Sequence, residues 1–240
     1  MTFPSFFDDA PVISMHDPLA DLLGAAEGGV IEYCYADAVR LAGHSCPTVA
    51  GAYLSVRAAL NVLYPDSLPE RGGIAVHMPS PETEGTIGVV AQVITLLTGA
   101  TALGGFKGIG DRFARNGLLS FARNSDENDG AVRFERLDSG AAVGVIFAGY
   151  PRMLPSANAC RRSYRTARRP NNRSNLRVSG RRVCARCCWS TPMIRRWFAS
   201  SRLADRVLNA GWPSGLKLQP LRQLWQRQET TNFYLMFTQS

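Results

Sequence analysis

Residues 44–65 read HSCPTVAGAYLSVRAALNVLYP, and this stretch decides how the front of the chain folds. Proline lacks the N–H that would go unbonded in a helix's first turn, and its ring presets φ, so Pro47 marks a helix start. Behind it Val49, Tyr53, Val56, Leu60 and Leu63 recur at the spacing of one helical face. Pro65 cannot continue a helix, so the pattern predicts one from Pro47 to about Tyr64.

Upstream, Pro18 to Ala26 has the apolar spacing of a short helix closed by Gly28 and Gly29, and Tyr35 to Leu41 that of another ending at Gly43. Downstream, GIAVHM (Gly73 to Met78) reads as a short strand. Gly88 to Leu97 is apolar on nearly every face; its length and the Gly99 stop favour a buried helix over a central strand. A loop holding Gly99, Gly104, Gly105, Gly108 and Gly110 then leads to strand-like Gly117 to Phe121, Val132 to Leu137 and Ala141 to Val143. Helices followed by several strands indicate an α+β fold. The expectation is two or three helices packed on a mainly antiparallel sheet from 73–78, 117–122 and 131–147. This domain covers 15–147, between an N-terminal segment (1–14) and a basic tail (148–240).

Charge divides the chain at nearly the same point. Through Val143 there are 9 basic and 17 acidic residues, net −8; from Gly144 onward there are 18 basic and 2 acidic, net +16. The acidic front argues against a surface that tracks phosphates, so any nucleic-acid binding is expected only non-specifically, through the tail. The start, MTFPSFFDDAPVISMHD, lacks the basic n-region of a secretory signal, which predicts a cytoplasmic protein. The long uncharged run from Gly85 to Phe106 carries Gln92, four Thr and five Gly, too polar and too glycine-rich for a membrane span.

The tail has an odd texture. Gly144 to Ala204 contains 14 Arg but no Lys, Asp or Glu, with clustered Cys, Trp, Ser and Pro. An evolved basic arm mixes Lys with Arg and shows helical periodicity. GC-rich codons read in the wrong frame produce such text instead. Taking the third base of each codon with the first two of the next, Cys187-Cys188-Trp189 forces Leu, Met or Val followed by Leu-Leu, and the run onward permits VLLEHADDPAVVR. The tail is therefore expected to be frameshifted text with no packed domain, Trp189, Trp197 and Phe198 being exposed. Any helix, near Pro192 to Leu208, is expected to be isolated and lightly packed. The Cys184, Cys187 and Cys188 cluster accordingly has no selected role as a zinc knuckle.

In the front half, His44 and Cys46 are borderline-soft ligands at a helix start, where the positive dipole end favours a thiolate. Two ligands do not make a site, and a buried Cys beside a turn-capping His remains open. His77, on the 73–78 strand, offers a third ligand or a half-exposed bystander. Lys107, among glycines, could help hold an anion, although no G-x-x-x-x-G-K-[ST] run surrounds it; a solvated Lys in a flexible turn stays equally open. Asp111, Arg112 and Arg115 read as a solvated charged face, and Tyr33, Tyr35 and Tyr53 as core and rim aromatics.

AGHSCPTVAGAYLSVRAA, followed by LLTGAT and GFKG, resembles the FmdE domain family, the N-terminal domain type of a formylmethanofuran dehydrogenase component and its stand-alone relatives, over about residues 31–143. The matching positions are Gly43, His44, Cys46, Pro47 and Gly51, then Thr98, Gly99 and Thr101, then Lys107 and Gly108, then Leu118 to Phe121. The resemblance implies a compact α+β fold, a homodimer, and a metal site (Zn²⁺ or another transition metal) using His44 and Cys46. It also implies a role as an accessory domain in redox or one-carbon metabolism, associated with an enzyme complex. The family's second Cys falls on Val89 here and its acidic residue on Gln92, and its C-terminal Cys-rich zinc module is missing. Two other classes stay open: a metal-dependent enzyme with an open His44/Cys46 site and Lys107 as anion anchor, and a nucleic-acid binder acting through the tail.

Overall fold

The computed structural model describes residues 2–123, 130–147, 194, 198 and 235–238. A 3-10 turn at Ser5–Asp9 precedes β1 (Ile13–His16), α1 (Pro18–Leu22), a second 3-10 turn (Glu27–Gly29), β2 (Val30–Tyr33), α2 (Tyr35–Ala42) and α3 (Pro47–Leu63). Then come β3 (Ile74–Met78), α4 (Ile87–Thr98), β4 (Leu119–Phe121), β5 (Val132–Arg136), β6 (Ala142–Phe147) and β7 (Leu235–Thr238). β1 and β2 form an antiparallel ribbon; the main sheet runs β4-β3-β5-β6-β7. Only the β3–β4 pairing in that sheet is parallel, with α4 as its crossover, and the other three are antiparallel. The fold is α+β, as the element order in the sequence predicts.

Local chemistry explains where the helices begin and end. Asp17 caps α1, its Oδ1 accepting the N–H groups of Leu19 at 3.0 Å and Ala20 at 3.2 Å, with Pro18 in the first turn. The helix stops at Leu22, short of the expected Ala26, because its chain turns through Gly24 to reach the second 3-10 turn. At the head of α2 the Asp37 carboxylate reaches back to the Cys34 N–H at 2.9 Å, which satisfies one unbonded helix donor. α4 ends at Gly99, whose φ of +75° is the left-handed cap that a side chain would strain.

α3 lies at the centre. It packs on α2, α4 and β6, so Val49, Ala50, Tyr53, Val56 and Ala59 are wholly removed from water. Burying Tyr53 forces its hydroxyl to find a partner: its oxygen sits 2.7 Å from the Pro11 carbonyl and 2.8 Å from that of Tyr33, and its one proton is shared between them. That contact ties the entrance of β1 and the exit of β2 to the central helix. Burial pushes the Tyr53 and Tyr35 phenols well above their ordinary range.

Packing crosses both boundaries expected from the sequence. Phe6, Phe7 and Ile13 belong to the same core as α3, so the folded unit includes residues before 15. β1 and β2 are also new: each is four residues long and too brief for its alternation to stand out. Within 148–240, Ile194 and Phe198 are helical in conformation and fully buried in this core, the Phe198 ring meeting Tyr35 edge-on at 4.9 Å. This corrects the expectation of an exposed Phe198; the rest of the expected helix, Pro192 to Leu208, lies outside the described residues. β7 extends the sheet beside β6, pairing Val145 with Phe237. Trp189, Trp197, Cys184, Cys187 and Cys188 lie outside the described residues. Among the described residues no helix is long and apolar enough to cross a membrane.

Candidate functional site

The turn between α2 and α3 carries the most pointed local chemistry. Gly43 ends α2, and Pro47 fixes the first turn of α3, so His44, Ser45 and Cys46 form a short bridge between two anchored helices. His44 is exposed, and its Nδ1 lies 2.9 Å from the Ala42 carbonyl oxygen. A carbonyl only accepts, so Nδ1 donates, and the neutral ring in this orientation has its lone pair on Nε2. Ser45 Oγ is held 2.9 Å from the buried Tyr35 hydroxyl, which pins the middle of the bridge. Cys46 is half-buried at the N-cap of α3, and its side chain makes no cap hydrogen bond. Its sulfur is a free thiol beside the positive end of a 17-residue helix.

The other expected site residues stand elsewhere. His77 occupies the outward position of β3, and its Nδ1 is 2.6 Å from Ser120 Oγ, directly across the parallel pairing with β4. Lys107 is exposed in the loop after α4. Val89, where the family resemblance puts a second Cys, is in the first turn of α4 and 37% exposed. Among the described residues no three His, Cys, Asp or Glu side chains converge in a group that could hold a metal ion. A closed four-ligand zinc site therefore does not fit within these residues, and His44 with Cys46 amounts to a pair of donors.

A different cluster joins residues that the sequence keeps far apart. Arg115, expected on a solvated face with Asp111 and Arg112, is only 5% exposed. Its Nη2 donates to Asp17 Oδ1 at 2.6 Å, while Arg71 Nη1 donates to Asp17 Oδ2 at 2.9 Å. Arg71 Nη2 also donates to the Leu96 carbonyl at 3.1 Å, at the end of α4. Burial alone would push the Asp17 carboxyl up; the Arg71 hydrogen bond and the Arg115 charge outweigh it and hold its pKa below the ordinary 3.8. Gly72 is required here twice: its φ is +88°, and a Cβ would stand 1.7 Å from Arg115 Nη1. Two cations on one carboxylate leave the buried Arg71 Nε and Arg115 Nη1 without partners among the described residues. The cluster is a pin joining β1, the 70–73 turn and the loop after α4. Asp17 before Pro18 is readable as a helix cap, but nothing near it signals two distant arginines.

Beside α4 lies a cleft of about 420 Å³ whose walls include Glu82, Ala91, Gln92, Ala102 and Phe121. His44, Cys46, His77 and Lys107 do not line this cleft. Comparison with known proteins gives no relative for this arrangement: no family profile, no curated protein and no solved structure matches the chain.

Proposed function

We propose that this chain is a metal-binding accessory domain of the kind its resemblance to the FmdE family of formylmethanofuran dehydrogenase implies, serving redox or one-carbon metabolism. In this reading the His44–Cys46 turn gives two ligands to Zn²⁺ or a similar transition metal. The remaining ligands come from outside the described residues, from a second copy of the chain in a homodimer or from the enzyme complex it serves. The observation that carries the reading is the His44 Nδ1 bond to the Ala42 carbonyl at 2.9 Å. Metal-ligating histidines usually bond their other ring nitrogen in this way, which orients the ring and presents Nε2. Cys46, two residues on and uncommitted to a cap, supplies the complementary thiolate.

The test is metal content of the purified full-length chain beside its Cys46→Ser and His44→Ala variants. Bound metal should be retained by the parent, lost from both variants, and released as pH falls, because protons compete for thiolate and imidazole. Unchanged metal content in Cys46→Ser would refute the ligand role. Light scattering should give a dimer at micromolar concentration; a monomer would remove the second copy as the source of ligands. In this reading the tail supplies no metal ligand, and sequencing the gene around codon 144 tests whether a frame change lies there.

A further inference from the structure

The cleft beside α4 has no role in the reading above, and its walls specify a ligand chemistry of their own. Its volume of about 420 Å³ falls within the roughly 300–1,000 Å³ of ordinary small-molecule sites. The helix wall is built from small or uncharged groups, Gly88, Ala91, Gln92 and Thr95, while Phe121 contributes an aromatic ring from β4. Gly104 and Gly105, from the loop after α4, complete the lining together with Thr101, whose side chain packs on Gly105. Glu82 is the one ionisable residue of the lining among the described residues, and no Lys or Arg joins it.

Position as well as identity marks Glu82. It lies inside a turn closed by the Glu84 N–H on the Pro81 carbonyl at 3.0 Å, and the Ile87 N–H on the Glu84 carbonyl at 3.0 Å leads on into α4. Glu82 is thus an exposed residue of the lining carried on ordered backbone, and no ion pair among the described residues engages it. A lone carboxylate and an aromatic face both attract a cation, and a mostly apolar wall favours an organic body. An anion would meet repulsion from Glu82 and no compensating charge.

The geometry points to a binding site for a small organic ammonium ion, its apolar part against α4 and Phe121 and its charge at Glu82. This site is independent of the His44–Cys46 turn, so its test is run in EDTA, where metal plays no part. Three probes of similar shape, phenethylamine, 2-phenylethanol and 3-phenylpropionate, are titrated into the full-length chain by NMR or calorimetry. The amine should bind most tightly, about 3- to 5-fold above the alcohol, as befits an exposed charge pair, with the carboxylate weakest. Glu82→Gln should erase the advantage of the amine while leaving the alcohol's affinity unchanged. Ala102→Trp, at an exposed loop position, should block the cleft and abolish binding of all three. The proposal fails if neither amine nor alcohol binds at millimolar concentration, if the carboxylate binds as well as the amine, if Glu82→Gln preserves the amine's preference, or if Ala102→Trp leaves binding intact.

Discussion

Asp17 and Arg115 stand 98 residues apart and meet out of water, whereas His44 and Cys46 are near neighbours on an outward turn. The first region gains its order from three distant elements that converge, and its charges are committed to each other. The second is shaped by two helix ends, and its donors are left uncommitted. A buried charge cluster built on ion pairs contributes to the uniqueness of a fold; a partly exposed pair of ligands on a turn contributes less to it and remains available for chemistry. The two should therefore respond to substitution in opposite ways.

The largest effect is expected at Asp17. Asp17→Asn leaves two arginine charges in low dielectric without their counter-ion and should cost about 3–5 kcal/mol in urea unfolding. Adding Arg115→Met to that variant should recover part of the loss, since it removes one uncompensated charge. If the double variant were no more stable than the single, the cluster would not be an electrostatic pin.

Phe198→Ala is next, at about 3 kcal/mol, because it empties a fully buried ring site against Tyr35. Unchanged stability would restore the expectation that everything after 147 is dispensable to the core.

Acid gives a smaller, graded effect. Asp17's folded pKa lies below its ordinary 3.8, so its contribution is complete above about pH 5 and is lost as pH falls through the depressed folded value. The urea midpoint should hold from pH 7 to about 5 and then drop, and the slope should flatten in Asp17→Asn. Exposed Asp138, held at about 2 by its hydrogen bond to Arg136, is a depressed carboxylate outside the cluster and serves as an internal contrast. A slope identical in parent and variant would assign the acid transition to other carboxylates.

The smallest effect on stability belongs to the other region: His44→Ala and Cys46→Ser should each shift metal-free stability by less than about 1 kcal/mol. A loss as large as that of Asp17→Asn would mean that the turn is structural, and the contrast between the regions would collapse.

These contrasts also explain what the sequence reveals. Pro47, Gly43 and Gly99 act on their own few residues, so the ends of α2, α3 and α4 are readable to within a residue or two. The β5–β6 pairing joins the alternating VRFER strand to the apolar AVGVIF strand across a short turn with Gly140. β1 and β2 escape such a reading because four residues give too few alternations to count. Arg115 reads as surface because arginine beside Arg112 and Asp111 resembles any charged run, while its partner arrives through tertiary folding. The candidate site divides likewise: the His44–Cys46 bridge is local and legible, but His77 answers to Ser120, a partner set by strand register. The cleft is assembled from four separate stretches and leaves no mark in any one of them.

The pairing of β6 with β7 joins Gly144 to Thr238, whereas β6 meets β5 across one short turn. On a growing chain β5 and β6 can close as soon as both have left the ribosome, while β7 is still to be translated. The entropic cost of the later closure rises only slowly with loop length, so the strand can still dock; the delay matters more than the energy. During that interval β6 presents an unpaired edge carrying Val143, Val145 and Ile146. Such an edge accepts a strand from any neighbouring chain, including another nascent copy. The sheet's order therefore leaves β6 open to misassembly for as long as β7 has yet to emerge.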